Sequence, residues 1–139
     1  MIDFETLLDE ELQGYDGPYA ELVRYAPAFY TLLNNLLRDP NLPGRLRPLI
    51  LAGIGYFALP SDILPEDLHG PAGYIDDLYV SALVADRVRS ELGTSHVLLD
   101  NWEAEQPLLP LVERILGGSQ DMLGEQKEII LWFLGYEYF

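Results

Sequence analysis

The chain contains no cysteine, a single lysine and only seven arginines, against 23 acidic residues. The missing cysteine excludes disulfide bridges, zinc–thiolate centres and cysteine nucleophiles, and leaves the redox compartment open. The shortage of cations, with a net charge of −15, removes the basic face that nucleic acid phosphates or anionic bilayers require. No long apolar run is present either. The longest uncharged stretch, Pro48 to Ser61, falls short of the ~20 apolar residues needed to span a bilayer. Acidic residues begin at Asp3, so the N-terminus reads as neither a signal nor a transit peptide, and a cytoplasmic location is expected.

What remains is globular composition. Hydrophobic residues make up 49% of 139, with nine tyrosines, five phenylalanines and two tryptophans, enough to bury a core in one domain spanning 1–139. Every long segment has helical periodicity and none sustains strand alternation. Asp3 can cap a first helix with the stripe Phe4, Leu7, Leu8 and Leu12, which Gly14 to Pro18 breaks. Tyr19 to Arg38 follows, either kinked at Pro27 or split into two helices with Pro27 in the first turn of the second. Arg45 to Leu59 is apolar on nearly every face and reads as a central helix, with Gly53 and Gly55 suggesting close approach of a neighbour. Tyr74 to Leu92 is a second central helix closed by Gly93. Thr94 and Ser95 can cap a short helix through Trp102. Leu108, Leu111, Val112 and Ile115 stripe another helix, ended by Gly117 and Gly118. A last one carries Met122, Ile129, Ile130 and Phe133 before the aromatic tail Tyr136, Tyr138 and Phe139. The expectation is an all-α, compact single-domain bundle of six or seven helices around a central antiparallel helical hairpin.

The turn of that hairpin holds the densest chemistry. Between Pro60 and Leu78 lie Asp62, Glu66, Asp67, His69, Asp76 and Asp77, in a stretch punctuated by proline and glycine. On a helix from Tyr74, Asp77 lines up with Val80, Val84 and Val88, and Asp76 lies near Val80 and Leu83. Carboxylates on such stripes need compensation. Three arrangements supply it. Asp76 and Asp77 can use the free N–H groups and dipole of their helix start, with Asp62 or Ser61 tying the turn. Arg45, Arg47 and Arg87 can form a buried network. Or Asp62, Asp67 (or Glu66), Asp76 and Asp77 can hold Mg, Mn or Ca, while His69 would extend the choice to zinc or iron. No fixed ligand spacing supports the last: there is no EF-hand, His-Glu-x-x-His or Glu-x-x-His pattern. Nor is there a nucleophile elbow or a glycine-rich phosphate loop. His69 has the chemistry of a general base, whereas His96 stands in a cap region.

Gly55-Tyr-Phe-Ala-Leu-Pro-Ser-Asp-Ile-Leu-Pro-Glu-Asp67, followed by Gly73-Tyr-Ile-Asp-Asp-Leu78, resembles the signature of the YkvA-like family, a domain of unknown function. The resemblance covers about 46–88. It implies a small helical domain, sometimes found near membrane segments, whose acidic positions fall on Asp62, on Glu66 or Asp67, and on Asp76 and Asp77. It implies no activity. Glu66-Asp67 stands where that pattern has one aspartate, and the loop to Gly73 is one residue longer, so the third carboxylate is left ambiguous.

The leading expectation is a non-enzymatic binding or scaffold module whose acidic turn fixes the hairpin, with a protein partner or a second copy as its ligand and the aromatic tail as one surface for it. The tail has an equal alternative in the domain's own core. The competing reading is a divalent-metal-binding protein or metal-dependent hydrolase using the acidic turn. A weaker third is membrane association through the apolar hairpin.

Overall fold

Proline and glycine set most of the helix boundaries. A computed structural model of the chain describes residues 20–58 and 74–118, together with Leu123, Gly124 and Glu128; its side chains are described for 21–55 and 77–118 and those three. A single helical turn, Ala20–Val23, breaks at Arg24, and α1 (Ala26–Arg38) begins with Pro27 in its first turn, the split form of the two sequence alternatives. A missing N–H costs nothing at that position. A 3-10 turn, Gly44–Leu46, runs directly into α2 (Arg47–Ala58), whose second residue is again a proline. Then come α3 (Tyr74–Leu92), α4 (His96–Asn101) and α5 (Leu108–Gly117). Gly93, at φ +68°, closes α3 in a backbone conformation that side-chain-bearing residues resist. Among the described residues there is no strand, and no helix long and apolar enough to cross a membrane.

α3 is the enclosed element. Leu78, Tyr79, Val80, Ser81, Ala82, Val84 and Ala85 are all buried, because α1, α2, α4 and α5 all pack on it. Phe29, Leu32, Leu33 and Leu36 of α1, Ile50 of α2 and Leu108, Leu111, Val112 and Ile115 of α5 complete the core. Each large aliphatic side chain so buried contributes roughly 1.5–3 kcal/mol before the entropy of ordering is counted. Gly53 is the point where α2 comes closest to both neighbours. A Cβ there would lie 3.2 Å from Leu33 Cδ1 and 3.3 Å from Val84 Cγ2.

Three expectations are corrected. α2 is not enclosed on every side: Leu51 is 52% exposed, since α1 and α3 cover one side of the helix and leave Pro48 and Leu51 outward. Among the described residues Gly55 has nothing within 4 Å of its Cβ position, so of these two glycines only Gly53 marks a close approach there. The short helix stops at Asn101 rather than Trp102, and Ser95 caps it without a side-chain bond; Thr94 Oγ1 accepts from the His96 N–H at 3.3 Å instead. The helix expected from Asp3, the turn 60–73, the helix around Ile129 and the aromatic tail lie outside the described residues.

Candidate functional site

Asp77 is the fourth residue of α3, within the first turn, where backbone N–H groups have no intrahelical acceptor and the helix dipole favours negative charge. Its side chain is only 1% exposed. Val80 and Val84, on its face of the helix, are fully buried, as is Val88 one turn further on. Ser81, one turn after Asp77, is also buried, and its Oγ meets no hydrogen-bond partner among the described residues; the same holds for Thr31 Oγ1 on α1. The stripe thus presents a carboxylate and a hydroxyl to the interior, beside the seam where Val84 meets Gly53. Chemically, it can anchor the start of α3 or offer oxygen to a cation.

Of the sequence candidates, Asp76 lies on the first turn of α3 by its backbone, and its side chain is outside the described set. Asp62, Glu66, Asp67 and His69 fall in the undescribed turn. Among the described residues no three His, Cys, Asp or Glu side chains gather as a metal site. Two of the three arginines proposed for a buried network are on the surface: Arg45 is exposed, and Arg47 Nη1 donates to the Leu37 carbonyl at 2.9 Å. Arg87 pairs with Glu91, four residues on, at 3.0 Å. His96 is exposed at the first position of α4.

A second polar centre escaped the sequence reading. Asn101 Nδ2 donates to Asp39 Oδ2 at 2.8 Å and to the Val97 carbonyl at 2.8 Å. Asn35 Nδ2 donates to the Asn101 carbonyl and, at 2.7 Å, to Glu103 Oε2. The Asn41 N–H donates to Asp39 Oδ1 at 2.7 Å, an Asx turn that the Asp-Pro-Asn sequence could have signalled. These bonds tie the C-terminal end of α1 to the end of α4, beside the tilted rings of Phe29 and Trp102, 5.1 Å apart. The Asn101 amide first, and the Asn41 N–H second, hold the Asp39 carboxyl below the ordinary carboxylate range. The donors and acceptors of these bonds belong to the two helices, the Asx turn after α1 and Glu103 after α4, which makes the cluster a tie between helices.

A family model described as "Protein of unknown function (DUF1232)" matches residues 47–83, from the start of α2 through the turn to the middle of α3, and so includes Asp77 and Ser81. No solved structure matches the chain. "Uncharacterized protein ORF9" of Methanothermobacter thermautotrophicus is 33% identical over 132 residues, covering 94% of this chain and 89% of that protein. At that identity and coverage, the chain belongs to the same family as the archaeal ORF9 protein, a family without an assigned function.

Proposed function

We propose that the chain is a non-enzymatic helical binding or scaffold module, a single domain over 1–139, in which the acidic turn fixes α2 and α3 as an antiparallel hairpin. The observation that carries this is the burial of Asp77 at the head of the most enclosed helix. A carboxylate so placed rewards one conformation of the turn, since leaving it uncompensated costs several kcal/mol, on the order of 3–5. Asp62, Asp67, Asp76 and Asp77, with Glu66 and His69 beside them, then act as structural groups at one elbow. The YkvA-like resemblance supports the same helical reading and brings no activity with it. The charge of −15 supports a cytoplasmic protein whose partners are neither nucleic acid nor membrane.

The buried carboxylate also favours one alternative, a divalent-metal-binding protein or metal-dependent hydrolase with Mg, Mn or Ca on those same residues. Thermal melts in EDTA and in each of the three ions, on the wild type and on Asp77→Asn, separate the two. A metal bound only by the native state raises the melting temperature, by about 2.7 kcal/mol of stability at a hundredfold excess over Kd. The structural reading expects melts that coincide in all ions, with Asp77→Asn lower throughout. An ion-dependent rise that vanishes in Asp77→Asn would transfer the site to the metal reading.

A further inference from the structure

Arg87, Arg89 and Arg114 are paired with Glu91, Asp86 and Glu21. Arg38, Arg45 and Arg47 differ. They lie within one stretch, 38–47, are exposed, and form no ion pair among the described residues. The bond from Arg47 to the Leu37 carbonyl draws its guanidinium to the C-terminal end of α1, where Arg38 stands. Asp39, the one carboxylate of that stretch, is engaged by Asn101 and Asn41. Leu51 lies one turn beyond Arg47 on the same side of α2, with exposed Pro48 between them. The most cationic stretch of a −15 chain therefore adjoins the most exposed large apolar side chain among the described residues.

A surface that joins cations to an apolar side chain fits a partner that joins carboxylates to apolar side chains. An inorganic anion would leave Leu51 in water, and a long polyanion would be repelled by a chain of net charge −15. The chain itself carries the complement. Residues 1–12 contain five carboxylates, no cation, and the apolar set Phe4, Leu7, Leu8 and Leu12. Among the described residues nothing covers the patch, and a second copy can bring this complement to it. We infer that two copies associate, the acidic leucine-bearing stretch 1–12 of each engaging the Arg38, Arg45, Arg47 and Leu51 patch of the other. This rests on the reading of the chain as a binding module and names its partner.

Sedimentation velocity of the full chain tests it, from about 5 to 200 µM at about 150 mM salt, where a Debye length of ~8 Å screens the long-range repulsion between two acidic chains. The wild type should show a monomer–dimer equilibrium. Leu51→Ser, Arg45→Glu and the double variant Glu10→Arg/Glu11→Arg should each weaken it at least about tenfold, with thermal melts at high salt like that of the wild type, since the substituted patch residues are exposed and salt screens the change in net charge. Mixing Arg45→Glu with Glu10→Arg/Glu11→Arg should restore association, because each interface then regains opposite charges. A wild type that stays monomeric over the whole range, or a dimer that all three variants leave intact, would overturn the inference. Either result would leave the metal-indifferent melt, and the structural reading of the acidic turn, unaffected.

Discussion

Gly53 and Gly55 are two residues apart on α2 and meet opposite surroundings. At Gly55 the space is open, so alanine adds helix propensity alone, and Gly55→Ala should raise stability by roughly 0.5–1 kcal/mol in a chemical melt. At Gly53 the same methyl would press on Leu33 and Val84, which can yield by a few tenths of an ångström, so Gly53→Ala should gain less. Gly53→Leu cannot be absorbed and should cost about 1–3 kcal/mol or more. Equal effects at the two positions would refute the close packing of α2 on α1 and α3. Ser81 poses a sharper question. Its buried hydroxyl meets no hydrogen-bond partner among the described residues, and an unsatisfied buried hydroxyl costs ~1–3 kcal/mol. Ser81→Ala keeps the shape, removes that cost and favours the helix, so the melting temperature should rise by several degrees. A marked fall would mean that this oxygen serves a group bound beside Asp77.

At the scale of elements, the α1–α4 tie gives the fold an acid-sensitive joint. Asp39 has its folded-state pKa lowered by the Asn101 amide and the Asn41 N–H. Its contribution is therefore fully present above the unfolded carboxylate pKa near 3.9, and is lost as pH falls through the lower folded value. Asp39→Ala should melt below the wild type at pH 6, and the gap should narrow as the pH is brought below the unfolded carboxylate pKa. The group is only half-buried, so the effect is small; a gap that is constant with pH would show that the carboxylate is not ionised in the tie. Little of this joint was legible beforehand. Asp39 and Asn101 are 62 residues apart, and no periodicity reports a pairing across such a distance. The helices were legible where punctuation is strong. Tyr74–Leu92 matches its sequence boundaries because Gly93 can take φ +68° at low cost. Periodicity also placed Asp77 on the inward stripe. What it could not give was the ranking of α2 against α3. Both are apolar, and only the packing of α1 and α5 decides that α3 is surrounded while Leu51 stays outside.

At the scale of the whole molecule, the charge of −15 works against the compact state. Paired arginines relieve little of it, since the ion pairs described are on the surface, where each contributes about 0–1 kcal/mol. Unfolding spreads the same charges over a larger volume and so lowers their mutual repulsion. Salt screens the repulsion in the folded chain more than in the expanded one, because the folded charges are closer together. Raising sodium chloride from about 10 mM to about 500 mM should therefore raise the melting temperature, even though it weakens the surface pairs and the Asp39 tie. The measurement belongs at low micromolar protein, where association between copies does not contribute. The arginine stretch 38–47 supplies an internal control. Arg45→Glu adds two negative charges to an already acidic molecule without breaking an ion pair among the described residues, so its melting temperature should fall below that of the wild type at low salt and converge with it at high salt. A wild-type melt that falls with salt would mean that specific attractions outweigh net charge, and would move the explanation for stability from the whole molecule back to its pairs.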